Sequence, residues 1–339
     1  MARWHGRRGD QTRRWIYVIS ALLIIAVVIA FIYRCYPFSQ EGAVATSTDT
    51  GGAVESKTIL PAVKSAAKPE AEPNLLKFAQ PTAEANPWAA ELISEAMSYI
   101  EARPARIIDA RDRLNETLPV PMSEQQRAFV KKQLSELAEK WLFSRTIFPQ
   151  DRLCGSYKVK PGDLLSTIGR QFKVPYEILM EINSINRPEA LQTGETIKVI
   201  NGPFHARVYR STFTMDLYLQ NTFVRSFPVG LGKPGMETPT GLWAVKADGK
   251  LIAPTWTDPI SGKTYESEDP DYPLGSRWIG LEGLKGEAVG RTGFAIHGTK
   301  DPNEIGIAGS QGCIRLHNGN AILLYNLLVP GYSRVEIVE

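Results

Sequence analysis

Cysteine and histidine are scarce in this 339-residue chain, which holds three of the first and four of the second. The cysteines, Cys35, Cys154 and Cys313, are widely separated, with no C-x-x-C pair and no Cys/His cluster. That spacing argues against a structural zinc site, and no metal or cofactor is expected. An odd count leaves at least one thiol free or paired between chains. A large charge excess is also missing. The net charge is +3, too small to argue for nucleic-acid binding. Much of the basic excess sits in Arg3, Arg7, Arg8, Arg13 and Arg14, with Asp10 as the one acid among them.

Charge is absent altogether from Trp15 to Tyr33, a run of 19 residues, about the length that spans a bilayer as a helix. Trp15 and Tyr17 flank it on one side and Phe31, Tyr33 and Tyr36 on the other, as an interfacial belt requires. The expectation is a basic segment over residues 1–14 on the inner side and a single-pass anchor over 15–34, with the remainder exported. A cleaved signal peptide is the alternative, since Ala43-Val44-Ala45 has the A-x-A form. However, the apolar run is too long for a signal-peptide core. Residues 35–85 contain few large apolar side chains and many Ala, Ser, Thr, Pro, Gly and Glu, the composition of a flexible tether. Outside the cytoplasm paired cysteines tend to oxidise, so a Cys154–Cys313 bridge is an alternative to two separate thiols.

Residues 86–150 have helical periodicity. Asn86-Pro87 reads as a cap with proline at the first helical position, followed by Trp88, Leu92, Ile93, Ala96, Tyr99 and Ile100 on one face. Pro104 opens a second segment through Leu114, and Ser123 with Gln126 forms a capping-box pattern for a third ending in Trp141 and Leu142. This small all-α region carries no visible chemistry. It reads as a spacer or as the contact for an unknown protein partner. Residues 155–201 then follow the order strand, helix, helix, strand, with turns at Pro161-Gly162-Asp163 and Thr193-Gly194.

From 204 to 339 the pattern becomes mainly β. Alternating runs flank Gln220-Asn221, a Gly/Pro-rich loop spans 230–245, and a long polar and aromatic loop spans 254–279. Cys313 lies in Gly309-Ser310-Gln311-Gly312-Cys313-Ile314-Arg315. A nucleophilic thiol needs a base within reach and donors for an oxyanion. His205 reads as structural. His317, four residues on, would share a helical face with Cys313, whereas His297 stands at a strand end in Phe294-Ala295-Ile296-His297-Gly298-Thr299. The strand-end position favours His297 and leaves His317 open.

Two resemblances add to this reading. Residues 157–200, with Val159-Lys160-Pro161-Gly162-Asp163, the paired asparagines and the Leu191 to Ile197 ending, resemble a lysin motif (LysM), an α+β module that binds peptidoglycan or chitin glycan. Its implied glycan-binding candidates are Gly162, Asp163, Asn183 and Asn186. Residues 204–339 are similar to the L,D-transpeptidase catalytic domain. They share Thr238-Pro239-Thr240-Gly241, Ile296-His297-Gly298-Thr299 and Ser310-x-Gly312-Cys313-Ile314-Arg315. The resemblance implies Cys313 as nucleophile, His297 as base and acid, and the Gly298 carbonyl orienting the imidazole. It also implies an oxyanion hole of Gly312 and Cys313 N–H groups, and Arg315 in support. Ser310, Gln311, Thr299, Trp256 and Trp278 are substrate-binding candidates; members of that family often carry histidine where Gln311 stands.

Peptidoglycan is the implied partner, met at a bacterial cytoplasmic membrane with the catalytic domain in the periplasm or wall space. A thiolate–imidazolium pair would form 3→3 crosslinks between stem peptides without a metal. Alternatives in the same fold are an L,D-carboxypeptidase, a transferase attaching wall proteins, or a non-catalytic peptidoglycan-binding protein.

Overall fold

The computed structural model describes residues 82–339, so the basic segment, the expected anchor and nearly all of the tether lie outside the described residues. Among the described residues no helix is long and apolar enough to cross a membrane.

Three helices open the described chain. Helix α1 (Pro87–Glu101) is capped by Asn86, whose Oδ1 accepts from the N–H groups of Trp88 and Ala89 at 2.9 and 3.4 Å. Helix α2 (Ile107–Thr117) starts three residues after Pro104, later than the sequence pattern suggests. The intervening turn is tied back by the Arg106 N–H to the Tyr99 carbonyl, and winding begins only where Ile107 and Ile108 become buried. Helix α3 (Glu124–Trp141) has the Ser123–Gln126 capping box. The same Gln126 amide donates to the Asn86 carbonyl at 3.0 Å, so the starts of α1 and α3 are locked together.

The next unit has strand β1 (Cys154–Lys158), helices α4 (Leu165–Gln171) and α5 (Tyr176–Asn183), and strand β2 (Thr196–Ile200). The strands pair antiparallel from Cys154↔Ile200 to Lys158↔Thr196. Leu164 is exposed, so the buried face of α4 begins at Leu165. Strands β3 (Phe204–Tyr209), β4 (Thr214–Leu219), β5 (Thr222–Pro228), β6 (Leu231–Gly232), β7 (Gly241–Ile252), β8 (Trp256–Thr257), β9 (Thr264–Tyr265), β10 (Arg277–Lys285), β11 (Ala295–His297), β12 (Ala308–Ser310) and β13 (Ile314–Arg315) follow. Helix α6 (Asn318–Leu327) and strand β14 (Arg334–Val338) complete the chain. The main sheet has the order β13-β11-β10-β7-β14-β3-β4-β5. Pairs β6–β12 and β8–β9 stand outside it. The last strand lies at the centre of the sheet, antiparallel to β7 and parallel to β3.

The helical region, read from sequence as a spacer or a partner contact, packs on the catalytic sheet. It covers β5, the edge of the main sheet. Asn115 Oδ1 accepts the Phe223 N–H at 2.8 Å, beside a register shift that leaves this edge irregular. Lys131 of α3 donates to the fully buried Asp216 of β4 at 2.7 Å, and Arg225 of β5 pairs with Glu139. A second charged joint links the helices to the strand-helix-helix-strand unit. Lys198, 1% exposed, donates from Nζ to the carbonyls of Trp141, Ser144 and Thr146 at 2.6 to 2.8 Å. Trp141 is the last residue of α3 and Ser144 and Thr146 lie in the turn after it, so the ammonium closes the helix end. A third joint is the Arg111–Asp151 pair at 2.8 Å, with the guanidinium stacked 4.4 Å from the Trp141 ring centroid. One contiguous apolar cluster runs from Ala89 through Ile182 to Ile337.

Replacing Lys198 by Met keeps the buried stem but strands three carbonyls. A loss of about 3 kcal/mol in unfolding free energy is expected, read by urea denaturation of the full chain. A change below about 0.5 kcal/mol would show that this ammonium does not hold the joint.

Candidate active site

The chemistry gathers where β11 and β13 lie side by side. They pair in parallel, Ile296↔Ile314 and His297↔Arg315, which brings the turn before β13 beside the strand carrying His297. Ser310 shapes that turn. It is buried, its Oγ donates to the Cys313 carbonyl at 2.7 Å, and it accepts the Gly312 N–H at 3.0 Å. Gly312 has φ +113°, and a Cβ there would stand 2.7 Å from Phe294 Cε1. Its N–H is therefore spent on Ser310 rather than aimed at a substrate oxyanion. Gly312 also supplies a backbone conformation that other residues resist. Ser310, expected as a substrate contact, holds the turn.

Cys313 is partly exposed and its Sγ donates to the Gly293 carbonyl at 3.6 Å. Desolvation pushes its thiol up to about 11, offset in part by the Ala295 backbone N–H and the charge of Arg315. Cys154 is buried in β1, also free, and pushed by desolvation to about 12; the two form no disulfide.

His297 is 3% exposed, and its Nδ1 lies 2.6 Å from the Gly298 carbonyl. A carbonyl only accepts, so Nδ1 carries the proton and Nε2 keeps its lone pair. Burial pulls the imidazole down to about 4, against the stabilising carbonyls of Gly298 and Leu274. Desolvation thus raises the thiol and lowers the imidazole, so both shifts run toward the uncharged pair and away from the thiolate–imidazolium pair expected from sequence.

Several candidates turn out to be supports. Trp278, opposite His297 in the β10–β11 pairing, stacks on the imidazole with centroids 5.6 Å apart and planes 12° from parallel. Arg315 donates from Nη1 to Glu304 at 2.7 Å, and Thr299 Oγ1 donates to the other oxygen of the same carboxylate. Trp256 stacks on Tyr265 across the β8–β9 hairpin. Gln311 Nε2 donates to Asp258 at 3.1 Å, joining that hairpin to the nucleophile turn. The 254–279 loop is further fixed by the Tyr272 hydroxyl donating to the Pro254 carbonyl and by Lys300 paired with Asp271. His317 is exposed at the start of α6, and His205 accepts the Arg334 N–H.

Asn318 braces the strand end beside the base. Its Oδ1 accepts the Ser276 N–H at 3.2 Å and its Nδ2 donates to the Thr299 carbonyl at 3.0 Å. A Cβ on Gly275 or Gly298 would come within 2.0 Å of that Oδ1, so the two glycines and the asparagine interlock beside the base.

In the strand-helix-helix-strand unit, Asn183 is 3% exposed and fully engaged. Its amide donates to the Leu179 and Lys198 carbonyls and accepts the Lys198 N–H. Asp163 accepts from the Tyr157 hydroxyl and the Lys160 N–H, both at 2.8 Å. Asn183 thus clamps β2 from within, and Asp163 clamps the turn after β1. Gly162 provides a positive φ of 84° at an exposed turn, and Asn186 is exposed. Among the described residues no group of His, Cys, Asp and Glu is placed to hold a metal ion.

Residues 203–337 match the L,D-transpeptidase catalytic domain of the YkuD type, and residues 157–199 match the LysM domain. The chain is similar to a Bacillus subtilis (strain 168) protein named YkuD and assigned to the L,D-transpeptidases, at 30% identity over 54% of this chain and 98% of the relative. A second B. subtilis protein with the same assignment, YqjB, is 33% identical over 39% of this chain and 69% of the relative. Among solved structures, a Mycobacterium tuberculosis L,D-transpeptidase aligns at 18% identity and TM-score 0.33, over 44% of this chain and 64% of that one.

A thiol raised by desolvation has a direct signature. Alkylation of Cys313 by iodoacetamide, followed by peptide mass spectrometry, is expected to accelerate about tenfold per pH unit from pH 7 to 10. A plateau below pH 8 would contradict it. Asn318→Ala is expected to lower stability by about 2 kcal/mol in denaturant unfolding, through two lost hydrogen bonds and an opened gap.

Proposed function

Since the chain belongs to the L,D-transpeptidase family, we propose that it forms 3→3 crosslinks in peptidoglycan through an acyl-enzyme on Cys313. The observation that carries this is the fixed tautomer of His297. The Gly298 carbonyl holds the proton on Nδ1 and leaves Nε2 as a base on the strand beside the nucleophile turn.

In the proposed first step Cys313 Sγ attacks the carbonyl before the terminal D-alanine of a tetrapeptide stem. Since desolvation raises the thiol, its proton is proposed to pass to Nε2 as the C–S bond forms. The C–N bond then breaks, and the imidazolium returns the proton to the leaving amine of D-alanine. In the second step the amine of a neighbouring stem attacks the thioester. Its proton goes to Nε2, the C–S bond breaks, and the thiol is restored. With Gly312 N–H engaged by Ser310, the Cys313 N–H is the proposed oxyanion donor. Trp278 keeps the imidazole plane fixed through both steps.

The lysin-motif unit is proposed to hold the enzyme on wall glycan, and residues 15–34 to anchor it with the catalytic domain outside the membrane. The support for the anchor is the charge-free run after five arginines.

The test is incubation of the full chain with a tetrapeptide muropeptide, scored by liquid chromatography and mass spectrometry. Wild type is expected to release D-alanine and form a dimer lacking one D-alanine. Cys313→Ala is expected to do neither, a loss of at least about 10⁴-fold in rate. Release of D-alanine without dimer would indicate hydrolysis instead.

A further inference from the structure

A polar cavity of about 620 Å³ opens between the end of the helical region and the connection from α5 to β2. Arg145 lines it from the helical side, and Arg187, Asn186, Gln192 and Glu195 line it from the other. The Pro161–Asp163 turn is not part of its wall, so it is separate from the positions Gly162 and Asp163 considered above. Arg145 and Arg187 are exposed, and among the described residues neither side chain has an ion-pair or hydrogen-bond partner. Glu195, whose carboxylate accepts the Gln192 N–H at 3.4 Å, is the one acidic side chain in the lining. Two guanidiniums against one carboxylate leave positive charge facing the cavity.

The backbone that carries Arg145 is held in place. The carbonyls on either side of it, those of Ser144 and Thr146, are the ones gripped by the buried Lys198 ammonium at 2.8 Å. Lys198 in turn is clamped through its N–H and carbonyl by Asn183, which lines the cavity floor. The arginine-bearing turn is thus bolted to the lysin-motif unit at the cavity itself. On the other wall, Ser184 in the left-handed region at φ 57° ends α5 and turns the chain outward into Asn186 and Arg187.

We propose that this cavity is a composite site for stem-bearing glycan: Asn186 and Gln192 bind the sugar amide and hydroxyl groups, and Arg145 and Arg187 take a free carboxylate of the peptide stem. A planar guanidinium matches a carboxylate with two parallel hydrogen bonds, which an uncharged oligosaccharide does not offer. The proposal rests on the peptidoglycan reading and deepens it. It makes the glycan module selective for strands that still carry the substrate of the catalytic site, with the helical region supplying half of that selectivity.

Isothermal titration of the full chain in a Cys313→Ala background separates the possibilities, since stems are then not consumed. The titrants are an unsubstituted N-acetylglucosamine oligomer, a muropeptide with free tetrapeptide carboxylates, the same muropeptide with those carboxylates amidated, and a glycerol-phosphate polymer. The free-carboxylate muropeptide is expected to bind roughly tenfold tighter than its amidated form. Arg145→Ala is expected to erase that difference while leaving the affinity for the unsubstituted oligomer unchanged, and Arg145→Lys to restore part of it. Equal affinity for both muropeptides, an unchanged difference in Arg145→Ala, tighter binding of the phosphate polymer, or no binding of any titrant would overturn the proposal. If the binding difference holds while the intact Cys313 enzyme releases no D-alanine, it is the catalytic reading that fails.

Discussion

The site depends on a very short piece of sheet: two residue pairs of parallel β11–β13 register. Parallel pairing between strands so close in sequence needs a crossover, and here the chain between His297 and Ile314 supplies it. The crossover is not slack. Thr299 and Arg315 both bind Glu304, Asn318 returns to the Thr299 carbonyl, and Gly230 exchanges backbone hydrogen bonds with Arg315 in both directions. A slip of one residue in this register would turn the neighbouring side chains to opposite faces. The many polar contacts around so small a ladder therefore act on one variable, the placement of Cys313 against His297.

A parallel logic governs the larger assembly. The joints between helices, lysin-motif unit and catalytic sheet are buried charges, not just apolar surface. Lys198 ends α3, Lys131 meets Asp216, and Arg111 meets Asp151. Against a well-packed apolar joint such groups gain little, because desolvation offsets most of the attraction, although removing one partner alone is costly. Their effect is on geometry: an ammonium holding three carbonyls has one satisfactory position, whereas an apolar contact tolerates many. The helices also cover the β5 edge, which would otherwise present unpaired backbone to other chains.

What the sequence revealed follows the range of the interactions involved. Local patterns were legible: the Asn86 cap, the Ser123–Gln126 box, the strand-helix-helix-strand order and the strand-end position of His297 all depend on residues a few positions apart. Long-range roles were not. Trp278 reads as a lid aromatic until cross-strand register places it on the imidazole, and Asn183 reads as a glycan ligand until burial shows it clamping β2. Gln311 had no assignable contact until Asp258, 53 positions away, came beside it. Gly312 is the instructive case. Its need for a positive φ follows from its being glycine, but where its N–H points depends on the rotamer of Ser310. The shift toward an uncharged thiol–imidazole pair was hidden for a similar reason, since desolvation is a property of the packed site.

These two levels meet at α6. Its first residue, Asn318, braces the strand end beside His297, and its body packs against α5 of the lysin-motif unit. At that contact Tyr325 of α6 lies under the Lys250 ammonium, 4.3 Å from the ring centroid, with Arg277 at 5.3 Å. Burial lowers the Lys250 ammonium to about 8, while the negative charge of Glu177 on α5 opposes that shift. The contact is therefore charged as well as packed, like the other joints. A polymer held by the lysin-motif unit is consequently held by a body that shares packed elements with the base, rather than by a module on a flexible leash. For an enzyme whose proposed substrate is a stem on a long glycan strand, this constraint converts glycan binding into orientation. The entropy of aligning strand and thiol is then lost partly on folding, before the stem arrives.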